Sequence, residues 1–67
     1  MPLLPYHEVV GVVRDIIVYD DIVKIIFAMD REIELPKSDA PKAITQELVG
    51  QRIGILNIEN KYYFRRI

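Results

Sequence analysis

The 67-residue chain reads as an all-β protein, and three observations carry that reading. Eleven Ile and seven Val make 18 of the 67 positions β-branched aliphatics, which fit a pleated surface and are stiff in helices. The apolar residues come in short runs divided by turn-forming pairs such as Asp20-Asp21 and Glu59-Asn60. The length admits a single small domain, 1–67, with the Pro2 and Pro5 segment 1–7 as an irregular lead-in. A chain of this size buries only about 60% of its unfolded surface, so its core needs supplementing by close packing or by another copy of itself.

Each element follows from local chemistry. Residues 8–19 form a long first strand carrying Val9, Val10, Val12, Val13, Ile16, Ile17 and Val18. Asp20-Asp21 turns the chain into a second strand over 22–29, pairing Val18 with Val23, Ile16 with Ile25 and Val12 with Met29. That register places Val12, Ile16, Val18, Val23, Ile25, Phe27 and Met29 on one inward face. Its flaw is Arg14 opposite Phe27, which Gly11 or a bulge around Arg14-Asp15 would resolve by switching faces. The third strand, 33–35, follows a loop at Asp30-Arg31-Glu32 that sets Phe27 across from Leu35. Pro36 ends it. Ser38 or Asp39 as a cap, Pro41 in a first turn and Gly50 as a left-handed terminus then predict a short helix near 40–49. Its apolar face is Ala40, Ile44 and Leu48. Residues 52–58 and 61–67, joined by Glu59-Asn60, complete five strands.

This order of three strands, a helix and two strands, with a glycine inside a long first strand, resembles the OB fold, a small five-stranded barrel. The resemblance covers residues 8–67 at the level of topology and identifies no specific family. An SH3-like barrel fits less well, because its helical turn comes before the last strand. Val9-Val10-Gly11-Val12-Val13 is similar to the opening of small molybdate-binding domains. The stretch Ile33-Glu34-Leu35-Pro36-Lys37, however, carries acids where an oxyanion site needs hydroxyls. Glu34-Leu35-Pro36-Lys37 and the ending Lys61-Tyr62-Tyr63-Phe64-Arg65-Arg66 are similar to swapped-hairpin antitoxin-type regulators, but a hairpin precedes the helix here. No function is carried over from either.

Composition excludes several classes of function. A net charge of −1 argues against a basic nucleic-acid coat or a polybasic membrane arm. The chain has no cysteine, so it has neither disulfides nor a thiolate metal site. His7, Ser38 and Thr45 are the only residues of their types and are given no reason to meet. Asp20-Asp21 suits a hairpin tip, Glu32 and Glu34 suit a guarded strand edge, and Gly11, Gly50 and Gly54 are too scattered to cradle a phosphate. The expectation is a protein that is not an enzyme and needs no cofactor or metal. No apolar run approaches a membrane span and no charged leader is visible, so a cytoplasmic location is expected. The scarcity of Asn, Gln, Ser, Thr and Cys accords with a thermophilic source.

Two surfaces remain as candidates. The outward set Ile17, Tyr19, Ile22 and Ile26 predicts an apolar interaction face, its partner being a second copy of the chain or another protein. Lys61, Tyr63 and Arg65 share one face of the last strand and interleave cations with an aromatic ring, as a single-stranded nucleic-acid surface requires. Balanced charge favours the first, a binding or assembly module that self-associates.

Overall fold

The long first strand belongs to two half-sheets at once. The computed structural model describes residues 2–67. It consists of β1 (Glu8–Val18), β2 (Ile22–Phe27), β3 (Arg31–Pro36), a single 3-10 turn at Gln46–Leu48, β4 (Arg52–Ile58) and β5 (Lys61–Arg66). The strands form one antiparallel sheet in the order β3-β2-β1-β4-β5. Residues Glu8 to Val12 of β1 pair with β4, and Val13 to Val18 pair with β2. β3 and β5 are therefore the two ends of the order, and no ladder joins them among the described residues.

The change of partner within β1 is produced by a bulge. The ladder to β2 slips between Val13 and Asp15, leaving Arg14 as the extra residue. From Asp15 to Val18 the pairing is the one the alternation predicts, with Ile16 opposite Ile25 and Val18 opposite Val23. Beyond the bulge the faces exchange. Val13 is 1% exposed and sits in the core, while Val12 lies on the outside. Val18 and Met29, expected inside, are also outside, Met29 being 89% exposed at a turn. Gly11 lies just ahead of the bulge, and a Cβ there would come within 3.2 Å of the Phe27 ring. The buried phenylalanine thus occupies the space a side chain at position 11 would need.

The β2–β3 register differs from the sequence expectation. The loop is Ala28 to Asp30, so Ile25 faces Ile33 and Val23 faces Leu35, and β3 begins at Arg31. Met29 and Asp30 both adopt positive φ within this three-residue loop. The β4–β5 turn is the expected one, with Glu59 and Asn60 at positive φ between Ile58 and Lys61.

The 37–51 connector carries one turn of 3-10 helix in place of a two-turn helix. Backbone bonds from Ile44 to Pro41, Leu48 to Thr45, Val49 to Gln46 and Gln51 to Leu48 make it a series of tight turns. Pro41 and the β-branched pair Ile44-Thr45 weaken a helix already too short to be stable alone. Its expected apolar face survives: Ile44 and Leu48 are buried and Ala40 packs against them. Gly50 has φ of 87° and donates its N–H to the Val13 carbonyl at 2.8 Å, returning the chain to β1 beside the bulge.

The lead-in is tied to the sheet. Leu3 is buried with Val13, Ile25, Phe27, Leu35, Ile53 and Ile55. Pro2 forms a parallel bridge to Glu34 on β3. A turn with Pro5 and a positive-φ Tyr6 closes through His7 N–H to the Leu4 carbonyl, 3.1 Å. Asn57, inward-facing and 1% exposed, holds this segment through its side-chain amide, which donates to the Leu3 carbonyl at 2.8 Å. The same side chain accepts the Asn60 N–H at 2.9 Å, so one buried polar group secures the lead-in and the last turn together.

Candidate interaction surfaces

Strand alternation and the observed registers assign the outer faces. In β2, Val23, Ile25 and Phe27 are inward, so Ile22, Lys24 and Ile26 are outward. Ile17 stands opposite Lys24 on β1, and Tyr19 donates its N–H to the Ile22 carbonyl at 2.9 Å beside the hairpin tip. The four predicted interaction residues therefore lie on one face. That face is not uniformly apolar. Lys24 occupies its centre, with its ammonium 3.8 Å from Glu32 and 5.7 Å from the centre of the Tyr19 ring. Ile17, Ile22 and Ile26 are half-buried, and only Tyr19 is exposed.

The second half-sheet has a different outer face. Opposite pairs Val10–Gly54–Arg65 and Glu8–Leu56–Tyr63 run across β1, β4 and β5. Lys61, Tyr63 and Arg65 share this face, as predicted, and Tyr63 is 52% exposed. Sequence reading did not anticipate that Arg65 is engaged: its Nε lies 3.4 Å from Glu8 Oε2. The pair spans β4, and Gly54 makes the crossing possible. A Cβ at position 54 would sit 3.0 Å from Glu8 Oε2 and 3.2 Å from Ile67 Cδ1. The glycine in the middle of an otherwise apolar strand was the available signal, since such a residue marks close approach from outside the strand. Glu8, Leu56, Tyr63, Phe64 and Arg65 line a shallow hollow of about 380 Å³ at this place. Val12, Ile58 and Ile67 are exposed around it.

No group of three or more His, Cys, Asp or Glu among the described residues could hold a metal ion. His7 and Ser38 are exposed on different segments. Glu32 lies at the edge strand and Asp20-Asp21 at the hairpin tip, as their turn and edge chemistry predicts. No helix among the described residues is long and apolar enough to cross a membrane. No protein-family model matches the chain, and neither a curated protein nor a solved structure matches it.

Proposed function

We infer that the protein is a non-enzymatic binding and assembly module that works through protein–protein contacts and associates with itself. The observation that carries this reading is the outer face of β1, β4 and β5. There Tyr63 and Ile67 are exposed on β5, with Val12 and Ile58 exposed at the two ends of the face beside Arg52 and Lys61, while the central cation, Arg65, is compensated by Glu8. Exposed apolar side chains around a cation that is already paired suit a protein partner. Each large side chain fully buried there contributes about 1.5–3 kcal/mol, comparable in sum to the stability of a small monomer.

The reading as a single-stranded nucleic-acid binder rests on Tyr63 standing exposed between Lys61 and Arg65. Glu8 weighs against it, because a carboxylate beside Arg65 repels the phosphate that the arginine would bind. Light scattering over a concentration series tests the primary reading: mass above that of one chain at micromolar concentration supports it, and a strict monomer overturns it. Titration with labelled single-stranded DNA and RNA at two salt concentrations tests the other. Tight binding that falls steeply with salt would replace protein association by nucleic acid.

A further inference from the structure

The exposed edge of β5 has the pattern of a self-complementary strand. Ile67 donates its N–H to the Arg52 carbonyl of β4 at 3.0 Å. In a regular antiparallel ladder, backbone groups alternate between the two sides of a strand. Lys61, Tyr63 and Arg65 therefore also direct theirs to β4, consistent with the tight two-residue turn that places Ile58 opposite Lys61. The N–H and C=O groups of Tyr62, Phe64 and Arg66 point away from the sheet. No backbone bond to another element is recorded for them among the described residues. The side chains of Tyr62 and Phe64 are half-buried against the core, at the margin of an apolar interior that stops at this strand.

We propose that two copies of the chain join through antiparallel pairing of β5 with β5, with Phe64 of each copy opposite Phe64 of the other. This rests on the self-association reading and places the contact at the edge of that half-sheet, beside its outer face. Two considerations select the register. Opposed residues must share a face, so a two-fold pairing must centre on a residue and not between two. Centring on Tyr62 pairs only residues 61–63, because Phe64 and Arg65 would face the Asn60 and Glu59 turn. Centring on Tyr63 sets Lys61 against Arg65, and centring on Arg65 sets two guanidinium groups against each other; like charges directly opposite are destabilising. Centring on Phe64 sets Tyr63 against Arg65 on the outer face and Tyr62 against Arg66 on the inner face. Every arginine of β5 then meets an aromatic ring, an attractive cation–π arrangement. Phe64 and Tyr62 are also the positions whose backbone groups point outward, so the pairs Phe64–Phe64 and Tyr62–Arg66 exchange both N–H···O bonds. Glu8 offsets Arg65 within each copy and lowers the repulsion between the two arginines nearest the axis. The partner is a second copy because the strand's own sequence supplies the aromatic opposite each arginine, and this placement offsets the repulsion between strands that carry three cations and no acid.

The chain has no cysteine, so single substitutions report directly on contact between copies. Opposed residues in a hydrogen-bonded antiparallel pair have Cα atoms about 5.5 Å apart, within the usual disulfide span. Phe64→Cys should give a covalent dimer under mild oxidation, whereas Tyr19→Cys should stay monomeric in denaturing electrophoresis. Phe64 also packs on the core, so a second test leaves it intact. Tyr62→Cys and Arg66→Cys chains should cross-link when mixed, and neither should do so alone. Arg66→Pro removes an outward N–H at an exposed strand end and should weaken dimerisation roughly tenfold or more. Dimers in light scattering without cross-linking at Phe64 or between Tyr62 and Arg66 would overturn the β5 interface while leaving self-association standing. A monomeric native protein would overturn both.

Discussion

Asn57 and Leu3 are joined by a buried hydrogen bond of 2.8 Å from the Asn57 side-chain amide to the Leu3 carbonyl, across 54 positions of sequence. The bond makes the proline-bearing lead-in part of the core. It acts beside the Pro2–Glu34 bridge and the His7 N–H to Leu4 carbonyl bond to fix the backbone that carries the buried Leu3 side chain. Asn57→Ala leaves the Leu3 carbonyl and the Asn60 N–H without partners in the interior. The expected loss is about 2–3 kcal/mol, the cost of unsatisfied buried polar groups. Urea denaturation checks this, with a lower midpoint and an unchanged slope as the expected outcome.

Gly50 and Gly11 are expected to resist substitution for different reasons. Gly50→Ala meets no atom within 4 Å, yet φ of 87° is strained for any residue with a Cβ. It should cost about 1–2 kcal/mol, and Gly50→Asn should cost less. Gly11→Ala instead brings a Cβ to 3.2 Å from the ring of the fully buried Phe27, which must shift by a few tenths of an ångström. Overpacking of this kind costs about 1–3 kcal/mol. Thermal melts of these variants and of Gly11→Asn would separate the two causes, since only at position 50 should asparagine outperform alanine.

The Glu8–Arg65 pair is expected to matter more for specificity than for stability. The Arg65 side chain is 69% exposed, so solvent screens the pair, and Glu8→Gln should change stability by less than about 1 kcal/mol. It should, however, release Arg65 and give the outer face a measurable, salt-sensitive affinity for single-stranded oligonucleotides. A fluorescence-anisotropy titration of Glu8→Gln beside the native protein would show it. Equal and negligible binding by both would mean that Glu8 is not what keeps nucleic acid away.

Ile17→Lys distinguishes the two outer faces. Ile17 stands opposite Lys24, so the substitution sets two ammonium groups against each other on neighbouring strands. The expected cost is about 0.2–1 kcal/mol from that repulsion, plus the burial Ile17 loses. The oligomeric state should remain unchanged, because the β5 edge lies on the other half-sheet. Dissociation of an assembly by Ile17→Lys would move the interface to the face of Tyr19, Ile22 and Ile26.

Some of this was legible in the residues and some was not, for physical reasons. The β1–β2 hairpin was legible because Asp20-Asp21 marks the turn and matched aliphatics on both sides admit one register. Arg14 betrayed the bulge by falling opposite Phe27. The β2–β3 register was not legible, because loops at 28–30 and at 30–32 preserve the same alternation. The observed turn also uses Met29 at positive φ, where glycine or asparagine would have advertised it. The connector showed its apolar spacing but not its conformation, since successive tight turns can bury Ala40, Ile44 and Leu48 as a helix would. On the surface, the shared face of Lys61, Tyr63 and Arg65 followed from alternation alone. Its partner Glu8 did not, because that contact depends on how β1 and β5 lie on either side of β4.

The division of β1 between two half-sheets also orders events in time. Its pairing with β2 needs only the closure of a tight loop, whereas its pairing with β4 joins positions as distant as Val10 and Gly54. Closing the longer loop is entropically dearer and slower. The meander of β1, β2 and β3 can therefore assemble while the first five residues of β1 still present an open ladder. As the chain leaves the ribosome, that ladder stays uncovered until β4 has been made. For this interval the growing chain carries an open strand edge at Glu8 to Val12, which the later-made β4 covers.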